Sequence, residues 1–337
     1  MSQVVCFGEA MVRLAPPHSE RIEQARTFDV EVGGAELNTA VGLVRLGREV
    51  SWVSALPENP LGRLVANRVR EAGVDASKIQ FDEYGRCGLY FVEFGAAPRA
   101  SAIQYDRKDS TLSHAKPGTN SFWGGKKAGT FDWAEIFDGS KWFHSSGITA
   151  AILDDREVLN EALQQAKTSK LGISFDLNYR SKLWPADEAG RALAPLLKSI
   201  DLLIASEGDA EQLFGIRGEN FEEVAQKLVD RFDIRYVAAV RRDANLVLRD
   251  RFGGIGFRDG EVIETPRYEV EVIDRLGTGD AFASGIIDGL LHGDFERGLQ
   301  TAAALGALKH TVPGDLPWID KDEVDAVLAG QGLKIRR

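Results

Sequence analysis

Between Ile273 and Gly285 the chain reads Ile-Asp-Arg-Leu-Gly-Thr-Gly-Asp-Ala-Phe-Ala-Ser-Gly. A short apolar strand, Val270 to Ile273, is expected to enter the Gly277-Thr278-Gly279 turn, with Asp280 opening an apolar helix that reaches about Leu291. A strand, a glycine turn and a helix start aim several backbone N–H groups at one point, at the positive end of a helix dipole. That arrangement suits a phosphate. A carboxylate there would repel a phosphate that merely bound, but it suits a group that takes the proton of a hydroxyl attacking phosphorus. Taken alone, the stretch equally allows Asp280 to be an N-cap and nothing more.

A second glycine cluster, Val32-Gly33-Gly34-Ala35-Glu36-Leu37-Asn38-Thr39-Ala40, precedes Arg45-Leu46-Gly47. Paired glycines before a helix allow a ligand close to the backbone, and Asn38 on the first turn can hydrogen-bond a hydroxyl. By itself this pattern is also that of an ordinary tight turn. A third glycine-rich stretch, Pro117 to Thr130, lacks the Gly-x4-Gly-Lys-Ser/Thr spacing of a P-loop and reads as a surface loop.

These residues need a scaffold, and the chain supplies one by alternation. Short apolar runs recur at Val4–Phe7, Val50–Val53, Trp142–His144, Gly172–Phe175, Leu202–Ala205 and Tyr236–Val240. Amphipathic stretches lie between them, such as Leu37–Leu46, Leu61–Ala72, Arg156–Ala166 and Ala189–Lys198, and Ala281–Leu291, Glu296–Lys309 and Lys321–Leu328 close the chain. The pattern predicts an α/β fold with a mostly parallel sheet. Two extended segments, Glu9–Val32 and Leu89–Tyr105, break the alternation and are expected to form a small sheet over the strand ends where α/β sites lie.

Composition narrows the partners. A formal net charge of −10 with no basic stripe argues against nucleic acid, while leaving room for an anionic small substrate held by a few arginines. Cys6 and Cys87 have no CxxC or zinc-ligand context, which fits free thiols in a reducing cytosol. Met1–Phe7 lacks a basic segment and a long apolar run, so no signal peptide is expected, and no window approaches a membrane span. With 337 residues, no repeats and no dividing linker, a single domain spanning residues 1–337 is expected.

Together the two glycine clusters resemble the paired signatures of the ribokinase-like (PfkB-type) carbohydrate kinases, and the resemblance extends over residues 3 to 328. Within that family the chain is most similar to the 2-keto-3-deoxygluconate kinases. The strings that carry this are Gly8-Glu9 with Arg13-Leu14-Ala15-Pro16-Pro17, Gly33-Gly34-Ala35-Glu36, Leu56-Pro57-Glu58-Asn59-Pro60-Leu61-Gly62 and Tyr105-Asp106-Arg107. Phe143-His144-Ser145-Ser146-Gly147-Ile148-Thr149, Asp176-Leu177-Asn178-Tyr179-Arg180 and Lys309-His310-Thr311-Val312-Pro313-Gly314-Asp315 extend it.

The resemblance implies a ribokinase-like three-layer sandwich with a β-sheet lid inserted at about 9–33 and 86–110. It also implies ATP-dependent transfer to the terminal hydroxyl of 2-keto-3-deoxygluconate, giving the 6-phosphate. Asp280 would be the base, and Gly277, Thr278 and Gly279 the anion hole. Gly34, Asn38, Tyr90, Tyr105, Arg107 and Arg180 would bind the sugar acid, the two guanidinium forks suiting its carboxylate. Ser206, Arg241, Gly277 and Gly279 would meet the nucleotide, with Mg2+ reached by Asp209 through water and K+ near Asp274 as a further cofactor. A cytoplasmic homo-oligomer is expected by analogy.

Four departures from the family pattern stand out. Arg275 follows Asp274 where Thr or Pro is usual, and Thr278 stands for a common Ala. The Asn-x-x-Glu motif is Ser206-Glu207-Gly208-Asp209, and Arg241-Arg242-Asp243-Ala244-Asn245 lacks the family's glycine. Either Arg241 or Arg242 could touch a phosphate or be surface charge. The rivals are a kinase for fructose, ribose or 2-keto-3-deoxygalactonate, and a catalytically silent sugar-binding protein. His144 reads as a satisfied core residue and His310 as structural or an adenine neighbour.

Overall fold

The structure, a computed structural model, describes residues 2–118, 131–243 and 249–331. The loop expected at Pro117–Thr130 falls largely outside them, as do Ala244 and Asn245. In chain order the strands are β1 (Val4–Phe7), β2 (Met11–Ala15), β3 (Asp29–Gly33), β4 (Val50–Pro57) and β5 (Ile79–Asp82). Next come β6 (Leu89–Glu93), β7 (Ala102–Asp106), β8 (Trp142–Ser146), β9 (Gly172–Asp176) and β10 (Leu202–Ile204). The last are β11 (Tyr236–Arg242), β12 (Arg249–Arg258), β13 (Glu261–Glu264) and β14 (Tyr268–Glu271).

The main sheet has the order β13-β12-β11-β10-β9-β8-β1-β4-β5, with β14 also on β12. From β11 to β5 every pairing is parallel, and β12 pairs antiparallel with β11, β13 and β14. Parallel strands buried on both faces need apolar residues at every position, which is why β1 reads Val-Val-Cys-Phe with no alternation. Val5, Phe7, Phe143, Phe175 and Leu203 face one core, shared with helices Glu157–Thr168, Ala186–Leu196 and Phe221–Phe232. Val4, Cys6, Trp52 and Leu202 face the other, shared with helices Ala35–Arg45, Thr278–Leu291 and Phe295–Lys309. The result is helix, sheet, helix.

A separate four-stranded sheet, β3-β2-β6-β7, covers one end. Its register sets Glu31 beside Arg13, Arg13 beside Tyr90, and Tyr90 beside Tyr105, so these four form one row. Since side chains alternate with a period of two, Met11 and Ala15 share that face. They pack with Tyr90, Val92, Ile103 and Leu276 of the phosphate-type turn, so the small sheet rests on the turn itself.

One expectation is corrected. The strand before the turn ends at Glu271, paired among the described residues with β12, and Ile273 lies beyond it and is largely exposed.

Candidate active site

The helix after the turn starts at Thr278 with Gly277 as its N-cap, so Asp280 stands in its third position and is not the N-cap. Gly277 has φ of 79°, and a Cβ there would overlap the carbonyl oxygen of Asp315; only glycine fits. A Cβ on Gly279 would meet nothing, so the space above that residue is open. The first N–H groups of a helix lack intrahelical acceptors, and those of Thr278, Gly279 and Asp280 open this helix.

Asp280 is half-buried and its Oδ2 accepts a hydrogen bond from Asn38 Nδ2 at 2.6 Å. Asn38 Oδ1 in turn accepts from the Gly34 N–H at 3.3 Å, which fixes which way the amide points. The two helices are stitched together behind this pair: Ser284 Oγ donates to Thr39 O at 3.0 Å and Asp280 O at 2.9 Å. Gly42 makes the approach possible, since a Cβ there would overlap Ser284. Burial raises the Asp280 carboxyl to about 6 against the opposing pull of Asn38, Arg180 and Lys309, while Asp315 adds to the rise. A base poised near neutrality is the consequence.

One cleft brings together Glu9, Gly34, Asn38, Tyr90, Tyr105, Arg107, Arg180, Gly277 and Asp280. Gly34 must be glycine because its Cβ would overlap the Glu9 carbonyl oxygen. Tyr90 and Tyr105 stack across the lid with centroids 6.0 Å apart, and the Arg107 guanidinium lies 5.9 Å from the Tyr105 ring centroid. Burial and the neighbouring Asp315 keep the Tyr90 phenol protonated, raised well above its ordinary pKa. Arg107 Nη2 donates to Glu9 Oε2, while its Nε is buried without a hydrogen-bond partner. Arg180 is exposed in the same cleft and lowers the pKa of both Asp280 and Asp176.

The residues expected on the nucleotide side separate. Arg241 makes a two-pronged ion pair with Glu207, at 2.9 and 2.8 Å, and is directed away from the turn. Neighbours on a strand face opposite ways, and Arg242 instead donates to Thr278 Oγ1 in the turn. Ser206 and Asp209 cap helix Glu207–Phe214: the Asp209 N–H donates to Ser206 Oγ at 3.1 Å, and Ser206 Oγ to Asp209 Oδ2 at 2.7 Å. Asp209 Oδ1 is left for other contacts.

Several charged residues that bear on the site had no assigned role in the sequence. Asp176, at the end of β9, is pushed up to about 8 by burial and by Asp280 and Asp209. Carboxylates that oppose one another in this way are the donor set a divalent cation such as Mg2+ would suit. Among the described residues no group of three ligands forms a cage by itself. Glu36 is fully buried behind Asp280, accepting from Ser146 Oγ at 2.6 Å and Thr149 Oγ1 at 2.7 Å, and burial lifts it to about 7. A K+ ion beside Asp274 does not fit: Arg13 Nη2 lies 2.7 Å from Asp274 Oδ2, and the buried Lys309 ammonium is close by.

His144 is a core residue, bonded through Nδ1 to Ser174 Oγ at 2.9 Å and lowered to about 3 by burial. His310 is likewise buried, its Nδ1 on Gly306 O at 2.7 Å and its ring against Phe252. No helix among the described residues is long and apolar enough to cross a membrane.

Known proteins resemble this chain in sequence and in fold. Residues 1–320 match the pfkB family of carbohydrate kinases. The chain is 37% identical to a 2-dehydro-3-deoxygalactonokinase of Haloferax volcanii over 338 residues, covering 100% of this chain and 99% of that one. The crystal structure of a 2-dehydro-3-deoxygluconokinase from Thermotoga maritima superposes with a TM-score of 0.91 at 37% identity, covering 97% and 98% of the two chains. A ribokinase II candidate from E. coli, solved with ATP and Mg2+, shares the fold with a TM-score of 0.81 at 21% identity, covering 98% and 100%.

Proposed function

The chain belongs to the pfkB family of carbohydrate kinases, and on that premise we propose that it phosphorylates the terminal hydroxyl of 2-keto-3-deoxygluconate with ATP, giving the 6-phosphate. The observation that carries the reading is the Asn38–Asp280 pair at a helix start, opening on the same cleft as Arg107 and Arg180.

Chemistry follows from the donors and acceptors present. The sugar lies between Gly34 and the Tyr90–Tyr105 stack, and its carboxylate meets the guanidinium N–H groups that Glu9 leaves on Arg107. Arg180 balances charge between the sugar and Asp280. The terminal hydroxyl gives its proton to Asp280 as its oxygen bonds the γ-phosphorus, and the bond to the ADP oxygen breaks in line. The amides of Gly277, Thr278 and Gly279 take the negative charge that spreads over the transferred group. Arg242, one hydrogen bond from Thr278, takes the phosphate-facing role in place of Arg241. Asp176 and Asp209 would hold Mg2+, which would supply charge neutralisation on the phosphates when bound. We read the protein as a cytoplasmic enzyme.

A second substrate, 2-keto-3-deoxygalactonate, is favoured by the 37% identity to the Haloferax galactonokinase. The two acids differ in configuration at one carbon, and both keep the carboxylate and the terminal hydroxyl that the cleft suits. ADP release measured with both acids beside fructose and ribose tests the assignment. The acids should exceed the neutral sugars in kcat/KM by about 100-fold, the scale of a charge-assisted hydrogen-bond pair to the carboxylate. Equal turnover of neutral sugars refutes the sugar-acid reading.

A further inference from the structure

Arg13 stands on β2 of the lid, yet its guanidinium reaches the far side of the catalytic turn. Nη1 donates to Asp315 Oδ1 at 2.7 Å and Nη2 lies 2.7 Å from Asp274 Oδ2, in a site where Arg13 is only 2% exposed. Asp274 is otherwise saturated by backbone: Oδ1 accepts from the Leu276 N–H at 3.0 Å and Oδ2 from the Gly314 N–H at 3.1 Å. Lys309, fully buried, donates to Val312 O at 3.0 Å and adds a second positive charge near both carboxylates. Two cations and two anions thus cancel inside the protein.

The two backbone segments that this quartet joins are the two that shape the anion hole. Residues 274–276 lead into Gly277, and the Asp315 carbonyl oxygen packs against the Gly277 Cα where no Cβ could fit. A cation at this point fixes the turn's backbone before any phosphate arrives, and preorganised amides are what oxyanion stabilisation requires. An ion from solvent could hold the two carboxylates only if the position were vacant. Here a bidentate guanidinium fills it.

We propose that Arg13 is a positioning residue for phosphoryl transfer: its guanidinium is a built-in cation that sets the Gly277–Gly279 turn and makes the reaction independent of monovalent ions. The proposal rests on the kinase reading above. Arg13 does not line the sugar cleft, so its loss should act on kcat rather than on sugar binding.

The test compares the wild-type protein in potassium, sodium and tetramethylammonium chloride at equal ionic strength. Rates of ADP release with the sugar acid and Mg-ATP should agree within about twofold, because no ion site is there to fill. Activation by K+ of about tenfold or more over tetramethylammonium overturns the proposal. Thermal unfolding of the same samples gives a readout without turnover, and it decides the matter even if no sugar acid is phosphorylated. A binding ion raises Tm by mass action, so a K+-specific rise counts against the proposal and coincident curves support it. Arg13→Met should lose about tenfold or more in kcat with sugar KM moved less than about threefold, and Arg13→Lys should fall between it and the wild type. Unchanged kcat in Arg13→Met overturns the positioning role. If that variant does not fold, the salt comparison on the wild type still decides.

Discussion

Asn38 and Asp280 lie 242 positions apart, and a 2.6 Å hydrogen bond joins them at the point where two helices begin. The bond does two things. It aims the Asp280 carboxylate into the cleft, and it favours the charged form, opposing the rise that burial causes. With the group at about 6, the base form dominates above that pH, and activity should fall as acid protonates it, to about a tenth of its plateau at pH 5. Removing the amide in Asn38→Leu raises the carboxyl further, so the acid limb of the kcat/KM profile should move to higher pH. Asp280→Asn should lose about 10² to 10⁴ in kcat at every pH. A variant profile that superposes on the wild type would show that Asn38 does not tune the base.

How much of this could be read from the sequence depends on the range of the interaction. The Gly277-Thr278-Gly279-Asp280 turn and the Gly33-Gly34 turn are local patterns, legible because glycine conformation and helix starts leave a mark within a few residues. The parallel sheet was legible for the same reason: β1 and β10 are short uninterrupted apolar runs, Val-Val-Cys-Phe and Leu-Leu-Ile. What escaped was pairing at long range. Nothing near Arg13 in sequence says that it meets Asp274 and Asp315, nor that Arg241 belongs to Glu207 while Arg242 turns to Thr278. The adjacency of Arg241 and Arg242 on a strand could have shown that only one of them faces the turn, but not which.

The arginines should separate in their effects. Arg107 is held by Glu9 against the lid and stacks near Tyr105, whereas Arg180 is exposed and acts on Asp280 and Asp176. Arg107→Ala should therefore raise KM for a sugar acid by about tenfold to 100-fold, the loss expected for a charge-assisted pair, with little effect on a neutral sugar. Arg180→Ala should lower kcat as well, and shift the acid limb upward because a charge that stabilises the Asp280 carboxylate is gone. Steady-state kinetics on an acid and a neutral sugar with both variants separate these outcomes. Equal losses on the two sugars would remove Arg107 from carboxylate recognition.

Glu36 gives the fold a pH dependence of the opposite sense from that of a salt-bridged carboxylate. Its folded value is raised from 4.5 to about 7, so the folded chain binds more protons than the unfolded chain between those values. The stabilisation is complete below the unfolded value and is lost as pH rises through about 7. Asp176, raised from 3.8 to about 8, acts in the same direction. For Glu36 the difference is on the order of 1–3 kcal/mol between pH 5 and pH 8. Glu36→Gln keeps an oxygen to accept from Ser146 and Thr149 but carries no charge, so its Tm should decline less from pH 5 to pH 8 than that of the wild type. Parallel slopes for the two proteins would contradict a buried, titrating Glu36.

The two glycines of the turn should fail in different ways, and the difference tests whether the turn is an anion site or only a helix start. Gly277 has φ of 79° and no room for a Cβ beneath the Asp315 carbonyl, so Gly277→Ala forces either backbone strain or a shift of residues 314–315. Such a substitution costs about 1–3 kcal/mol from the dihedral alone, before the overlap is counted, and Tm should drop along with activity. At Gly279 an added Cβ meets nothing, and the residue already lies within the helix, where alanine is favoured over glycine by about 1 kcal/mol. Gly279→Ala should then leave Tm unchanged or raise it. If the open space above Gly279 is where the transferred phosphoryl group sits, the methyl group stands in its place and kcat should fall at least about tenfold, with sugar binding intact. Calorimetry and kinetics on this one pair of variants read the two effects separately. A Gly279→Ala protein with normal turnover would leave the turn as scaffold and move the phosphate site elsewhere.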